Sequence, residues 1–334
     1  MEVFLYEQAT CGGEKLPPAV AVEGLGMFKT LLEGFERMGP VRTFVAPWIP
    51  YFQAYPRAED WKEAFQACLE KAEAAILIAP EAGGALCSLT RELEAAGCGN
   101  LGSSSGALEI TSDKYETYKR LRDLSPATEV FRGSTALDYP LVAKPRSGVS
   151  GEGIYMVENA AELAGVPGGY LLQEYVAGAP CSASLLVGDE VRVLSYNTQE
   201  LDGFAYKGAK LPLDMECEEV LRAAERVKGL FGYVGVDFVY AEGRARIIEI
   251  NARPTTPIIA LGEVLGCSAA ELILRNYRRE AMPPLRTRKK VHLRKSNGAG
   301  GYASLGGVSI MMEEVHEDID PRHRRGQYQE ARPG

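Results

Sequence analysis

The stretch Gly235-Val236-Asp237-Phe238-Val239-Tyr240-Ala241-Glu242-Gly243-Arg244-Ala245-Arg246-Ile247-Ile248-Glu249-Ile250-Asn251-Ala252-Arg253-Pro254 reads as two strands folded against each other. Glu242-Gly243 supplies the turn, because glycine enters conformations closed to other residues. Side chains alternate across a strand, so Glu249 and Asn251 share one face while Ile248 and Ile250 take the other. An antiparallel partner would set Asp237 opposite the polar pair. Three hard oxygen donors on one face suit Mg²⁺ (or Mn²⁺), which keeps water and phosphate oxygens in the rest of its shell. Incidental polar residues on a surface ribbon are the alternative. The apolar neighbours Val236, Phe238, Ile248 and Ile250 weigh against it.

Upstream, Leu141-Val142-Ala143-Lys144-Pro145 reads as a strand, and glycines at 148, 151 and 153 follow it. Glycine lets backbone N–H groups approach an anion, and the lysine adds a charge-assisted contact. No G-K-[ST] follows the glycines and no G-x-G-x-x-G occurs, so neither a P-loop nor a dinucleotide fingerprint is present. Further strands are expected at residues 153–157 and 170–175, with a hairpin of 183–187 and 191–196 across Gly188-Asp189. Helices are expected at 113–122, capped by Thr111 or Ser112, at 218–231 and at 261–277.

The first hundred residues alternate strand-like runs at 3–6, 42–45 and 74–79 with helical patterns such as Met27, Phe28, Leu31, Leu32 and Phe35. That alternation predicts a parallel sheet covered by helices. Residues 99–106 are small and read as a flexible connection. Beyond Pro283-Pro284 a basic run reads as a solvated linker, 296–301 as flexible, 308–312 as one added strand, and the end from Asp320 as disordered. The expected domains are 1–105, a parallel α/β unit; 106–178, a small unit with the glycine loop; 179–285, a larger unit with the metal strands; and 286–334, a basic then acidic extension.

Composition narrows the function. A net charge of −8 opposes a general nucleic-acid binder. No run reaches the roughly 18 apolar residues of a membrane span, and the N-terminus lacks a signal-peptide pattern. Seven cysteines without a C-x-x-C pair suit reduced thiols in a cytoplasmic protein. His292, His316 and His323 read as solvated tail residues.

Ser112-Asp113-Lys114, Val142-Ala143-Lys144-Pro145, the glycine loop, Gln173-Glu174-Tyr175-Val176, Gly235-Val236-Asp237-Phe238 and Glu249-Ile250-Asn251-Ala252-Arg253-Pro254 together resemble the ATP-grasp superfamily in order and spacing. The resemblance implies an α/β (α+β) ATP-grasp fold, with a parallel pre-domain and two subdomains clasping ATP. It implies ATP contacts from Lys114, Lys144, Ser147, Gly148, Gly151, Gly153, Gln173, Glu174, Tyr175 and Val176. Asp237, Glu249 and Asn251 would hold the metal, and Arg253 with Lys144 would serve the transferring phosphate or acyl group. No carboxylate stands where many members bind ribose, so ribose recognition departs from the family pattern, with Ser182 and Lys207 as the candidates to take part in another way.

Phe4-Leu5-Tyr6-Glu7, Cys11-Gly12-Gly13, Glu23-Gly24, Met27 and Thr255-Thr256 look similar to the tyramine–glutamate ligases of methanofuran biosynthesis. That kinship implies joining of glutamate to an aromatic amine through an acylphosphate. Another amino-acid ligase and a non-catalytic ATP-binding module remain as alternatives. The expected partners are small molecules, an amino acid and an amine, with no nucleic acid or membrane; a homodimer is the assembly considered.

Overall fold

The computed structural model describes residues 1–148 and 151–319. His323 and the tail from Asp320, expected to be solvated and disordered, lie outside the described residues, as do positions 149 and 150 of the glycine loop.

Near the N-terminus, Val3–Glu7 and Ala74–Ile78 bury every residue, as continuous apolar runs require when both sheet faces are covered. They pair in parallel, with Val41–Arg42 on one side and Gly99–Asn100 on the other. Pro18–Glu36 begins with proline in its first turn, where the missing N–H costs nothing, and buries Phe28, Leu31, Leu32 and Phe35. Residues 99–106 are no flexible connection. Asn100 lies in the edge strand, and the Ser104 hydroxyl accepts from the Ala107 amide to cap the helix Ser105–Thr111.

A small antiparallel sheet follows, ordered Thr128–Val130, Leu171–Glu174, Leu141–Lys144, Tyr155–Val157. Its core of Phe131, Leu141, Ala143, Val157, Leu163, Val166 and Leu172 is separate from the main core of the chain. The helix Lys114–Leu121 leading into it is capped by Asp113, not by Thr111 or Ser112. Asp113 takes both the Tyr115 and Glu116 amides while pairing with Arg146 beside the glycine loop.

The third sheet runs Val191–Thr198, Ala179–Val187, Gly232–Ala241, Arg244–Asn251, all antiparallel. Asp237 pairs with Glu249, as expected. The register then slips: Phe238 pairs with Ile247, leaving Ile248 as the extra residue of a bulge. Ile248 therefore lines the cavity beside Glu249, while Ile247 and Ile250 are buried. This corrects the simple alternation that paired Ile248 with Ile250.

Two helices depart from what periodicity predicts. Glu218–Glu225 stops short of residue 231. The apolar pattern over 261–277 is split into Ile258–Leu265 and Ala269–Arg278 by Gly266, whose φ of 68° closes the first helix, and by Ser268, which caps the second.

The C-terminal segment departs furthest from expectation. Lys290–Asn297 and Val308–Val315 are full strands of a sheet ordered Glu200–Asp202, Ala205–Leu211, Lys290–Asn297, Val308–Val315, Ala303–Leu305. The basic run, expected to be a solvated linker, instead meets the acidic run across this sheet, Arg294 with Glu313 and Lys290 with Asp318. His292 sits in a strand with its Nε2 2.9 Å from Glu200 and is no solvated tail residue; His316 is exposed. Among the described residues no helix is long and apolar enough to cross a membrane, and the seven cysteines are all free.

Candidate active site

The three antiparallel sheets and the Pro18–Glu36 helix enclose one cavity of about 650 Å³. Of the residues expected to bind nucleotide, Lys114, Lys144, Gly148, Gly151, Gln173, Glu174, Tyr175 and Val176 all line it. Ser147 does not: it is exposed. Gly153 does not either, and a Cβ there would touch the Tyr170 hydroxyl at 3.0 Å. Asp237, Glu249, Asn251 and Arg253 face the same space. Residues far apart in sequence are thus brought to one wall by pairing of the sheets.

Lys144 ends its strand inside the protein. Its ammonium donates to Gln173 Oε1 at 2.9 Å, and the Gln173 amide donates in turn to Thr128 Oγ1 at 2.8 Å. Burial pushes Lys144 down to about 8, with Glu249 opposing and Lys114 adding to the shift. Lys114 is also buried. Burial works against its charge, but Glu249, Glu81 and Asp237 more than offset this and raise it above an ordinary lysine. Its ammonium lies 3.1 Å from both Glu249 Oε1 and the Gly148 carbonyl.

Asp237 accepts the Gln199 amide at 2.8 Å and the Asn251 amide at 3.1 Å. Burial, with Glu249 adding, still pushes it up to about 7. A hard cation beside Asp237 and Glu249 would offset the burial of the Asp237 charge. Among the described residues no group of three or more His, Cys, Asp or Glu gathers to hold a metal. Two carboxylates and an amide leave most of a Mg²⁺ shell to water and phosphate oxygens, so the residues fit that ion.

Several residues here escaped the sequence reading. Glu81 is buried, accepts the Ala252 amide at 3.2 Å, and is pushed up to about 7 by burial, with Arg253 opposing. Nothing about a lone Glu after Pro80 marks it. Gln199 and Tyr206 likewise come from segments without motif character. Glu7 and Gly24 did carry a signal, and the structure explains it. Glu7 caps the helix Gln8–Cys11, and a Cβ at Gly24 would lie 2.2 Å from its carboxylate, so only glycine lets the long helix pass.

Residues 111–257 match the ATP-grasp domain family and residues 52–108 match the pre ATP-grasp 3 domain family. The tyramine–L-glutamate ligase of Methanocaldococcus fervens is 34% identical over 218 residues, covering 64% of this chain and 69% of that protein. The chain belongs to the ATP-grasp family. It is an ADP-forming carbon–nitrogen ligase that acts on a carboxylate and an amine. The ligase of the same name from Methanocaldococcus jannaschii is 28% identical over 296 residues, covering 84% of this ATP-grasp chain and 90% of the relative. The crystal structure of an ATP-grasp superfamily protein from Archaeoglobus fulgidus superposes with a TM-score of 0.82 at 36% identity, covering 94% and 99% of the two chains. An L-amino acid ligase from Bacillus licheniformis shares the fold at 17% identity, with a TM-score of 0.67 over 90% of this chain and 80% of that one.

Proposed function

We propose that this ligase joins the γ-carboxyl of glutamate to an aromatic amine, tyramine or tyrosine, in methanofuran-type cofactor biosynthesis. One observation carries the reading: the cavity lined by Lys114, Lys144, Asp237 and Glu249 is also lined by residues of the N-terminal domain. These include the apolar side chains of Leu16, Val20, Met27 and Ile78. Apolar side chains of this kind suit an aromatic ring. The likeness to two tyramine–L-glutamate ligases supports the same substrates.

The reaction needs two steps. A donor carboxylate oxygen attacks the γ-phosphorus of ATP and ADP leaves, giving an acylphosphate. The amine nitrogen then attacks the acyl carbon, and phosphate leaves as the amide forms. Phosphoryl transfer asks for positioning and charge neutralisation more than covalent help. Lys144, oriented by Gln173, and Lys114 would bind the phosphates. Val176, Tyr175 and Ile248 would flank the adenine. Arg253 would face the phosphoryl group and the acyl oxygens. Asp237, Glu249 and Asn251 would hold Mg²⁺, whose charge screens the phosphate oxygens when it is bound. The two lysines and Arg253 supply cations to the same space. Gly151 sets the loop against Phe204, narrowing the route by which water would reach an acylphosphate.

The test is ADP release across a panel of amino acids and aromatic amines. Glutamate with tyramine or tyrosine should give ADP and the γ-amide. ADP formation only with other pairs would retain a ligase and discard these substrates. Nucleotide binding with no turnover on any pair would reduce the site to a binding module.

A further inference from the structure

In the same cavity, Lys295 of the C-terminal sheet reaches across to Glu23 of the long N-terminal helix. Its ammonium lies 2.5 Å from Glu23 Oε1, and both side chains are largely buried. The other Glu23 oxygen accepts from the Thr256 hydroxyl. Beside this pair the Tyr206 ring lines the cavity, with the Lys295 ammonium 5.4 Å from its centre. The Tyr206 hydroxyl is buried and has no hydrogen-bond partner among the described residues. A buried donor left unmatched is costly, and native proteins rarely keep one without a use.

These three groups read as a template for a zwitterion. A buried ion pair is strongly destabilised when one partner is lost, but a ligand bearing one charge of each sign can satisfy both at once. A ligand with a single charge that separated the pair would leave either Lys295 or Glu23 uncompensated. We propose that Tyr206, Lys295 and Glu23 form the subsite for the α-amino-acid end of the carboxylate donor. Lys295 and the Tyr206 hydroxyl take its α-carboxylate, and Glu23 takes its α-ammonium. Thr256, which holds Glu23, stands three residues past Arg253 in the chain. The donor's side chain would therefore run along this turn, carrying its distal carboxyl toward Arg253 and the phosphoryl site. The inference rests on the reading above that the donor is an α-amino acid.

The experiment is isothermal titration of the full chain with Mg²⁺ and a non-hydrolysable ATP analogue present. The standard amino acids are titrated first, and the tightest is carried forward with its des-amino and decarboxylated analogues, which for glutamate are glutarate and 4-aminobutyrate. The wild-type chain should bind the parent roughly 10–100-fold more tightly than either analogue, as expected for loss of one charge-assisted contact. Lys295→Met should erase the margin over the decarboxylated analogue and keep that over the des-amino one. Glu23→Gln should do the reverse. Tyr206→Phe should weaken the parent more than the decarboxylated analogue. Variants that keep both margins, or that lose affinity for all three ligands alike, overturn the subsite. So does the absence of binding by any amino acid. If the tightest ligand is not glutamate, the donor named above falls, while the same variants and that ligand's own analogues still decide the subsite.

Discussion

Lys114 Nζ lies 3.1 Å from Glu249 Oε1 and 3.1 Å from the Gly148 carbonyl, so one buried ammonium joins the start of a helix, the glycine loop and the carboxylate strand. These elements come from separate parts of the chain. In the proposed mechanism their meeting point holds the nucleotide's phosphates and the metal.

Lys114→Met removes that junction. It leaves Glu249 facing Asp237 without its cation, and deletes a charge for phosphate. Steady-state kinetics should show the KM for ATP raised by about tenfold or more and kcat reduced, with Lys114→Arg partly restoring both. Unchanged kinetics would make the lysine a structural tie only.

Lys144 offers a pH test. With its buried ammonium pushed down to about 8, it loses its proton well below an ordinary lysine, and with the proton goes its attraction for phosphate. Affinity for a non-hydrolysable ATP analogue should therefore fall as pH rises from about 7.5 to 9. Lys144→Ala should weaken binding by about 1.5–3 kcal/mol at pH 7 and flatten that pH dependence. Isothermal titration at several pH values reads both.

What the sequence disclosed follows from the ranges over which its signals act. Asp237 opposite Glu249 was legible because a turn at Glu242-Gly243 and period-two alternation are local facts. The bulge that brings Ile248 into the cavity was not, since an extra residue in a strand leaves no mark in composition. Asp113 displaced Thr111 and Ser112 as the cap because its carboxylate takes the Tyr115 and Glu116 amides, a local signal that periodicity passes over. The segment Lys290–Asn297 read as a linker because its charges look solvated. In the fold they are neutralised across the sheet by Glu313 and Asp318, and by Glu23 from the other end of the chain. Tyr206 and Glu81 carry no motif, and only tertiary placement marks them.

Glu7 and Glu81 predict how stability depends on pH. Burial pushes both up to about 7. In the unfolded chain they ionise near pH 4.3, so between about pH 4.3 and 7 the folded chain binds more protons than the unfolded one. Their contribution to stability is then greatest at the acid end of that window and is lost as pH rises through it. The Tm of the metal-free chain should be higher at pH 5.5 than at pH 8, and Glu81→Gln should shrink that difference. Differential scanning calorimetry would refute the assignment if the variant kept the full difference.

Gly151 has a φ of 77°, and a Cβ there would lie 2.3 Å from the Phe204 carbonyl oxygen. Gly151→Ala should push the loop away from Phe204, raising the KM for ATP several-fold and increasing hydrolysis of ATP uncoupled from amide formation. The ratio of ADP to amide product measures it; a ratio unchanged from the parent would show that the loop does not shield the intermediate.

The central claim is that a carboxylate is activated by phosphorylation in the space between Lys114, Lys144 and Arg253. Glutamate labelled with ¹⁸O in its γ-carboxyl, supplied with ATP, Mg²⁺ and tyramine or tyrosine, tests it by mass spectrometry of the released phosphate. The oxygen that attacks phosphorus leaves with it, so the account predicts one ¹⁸O per phosphate with ADP as the co-product. Unlabelled phosphate, or AMP and pyrophosphate as the products, would contradict it.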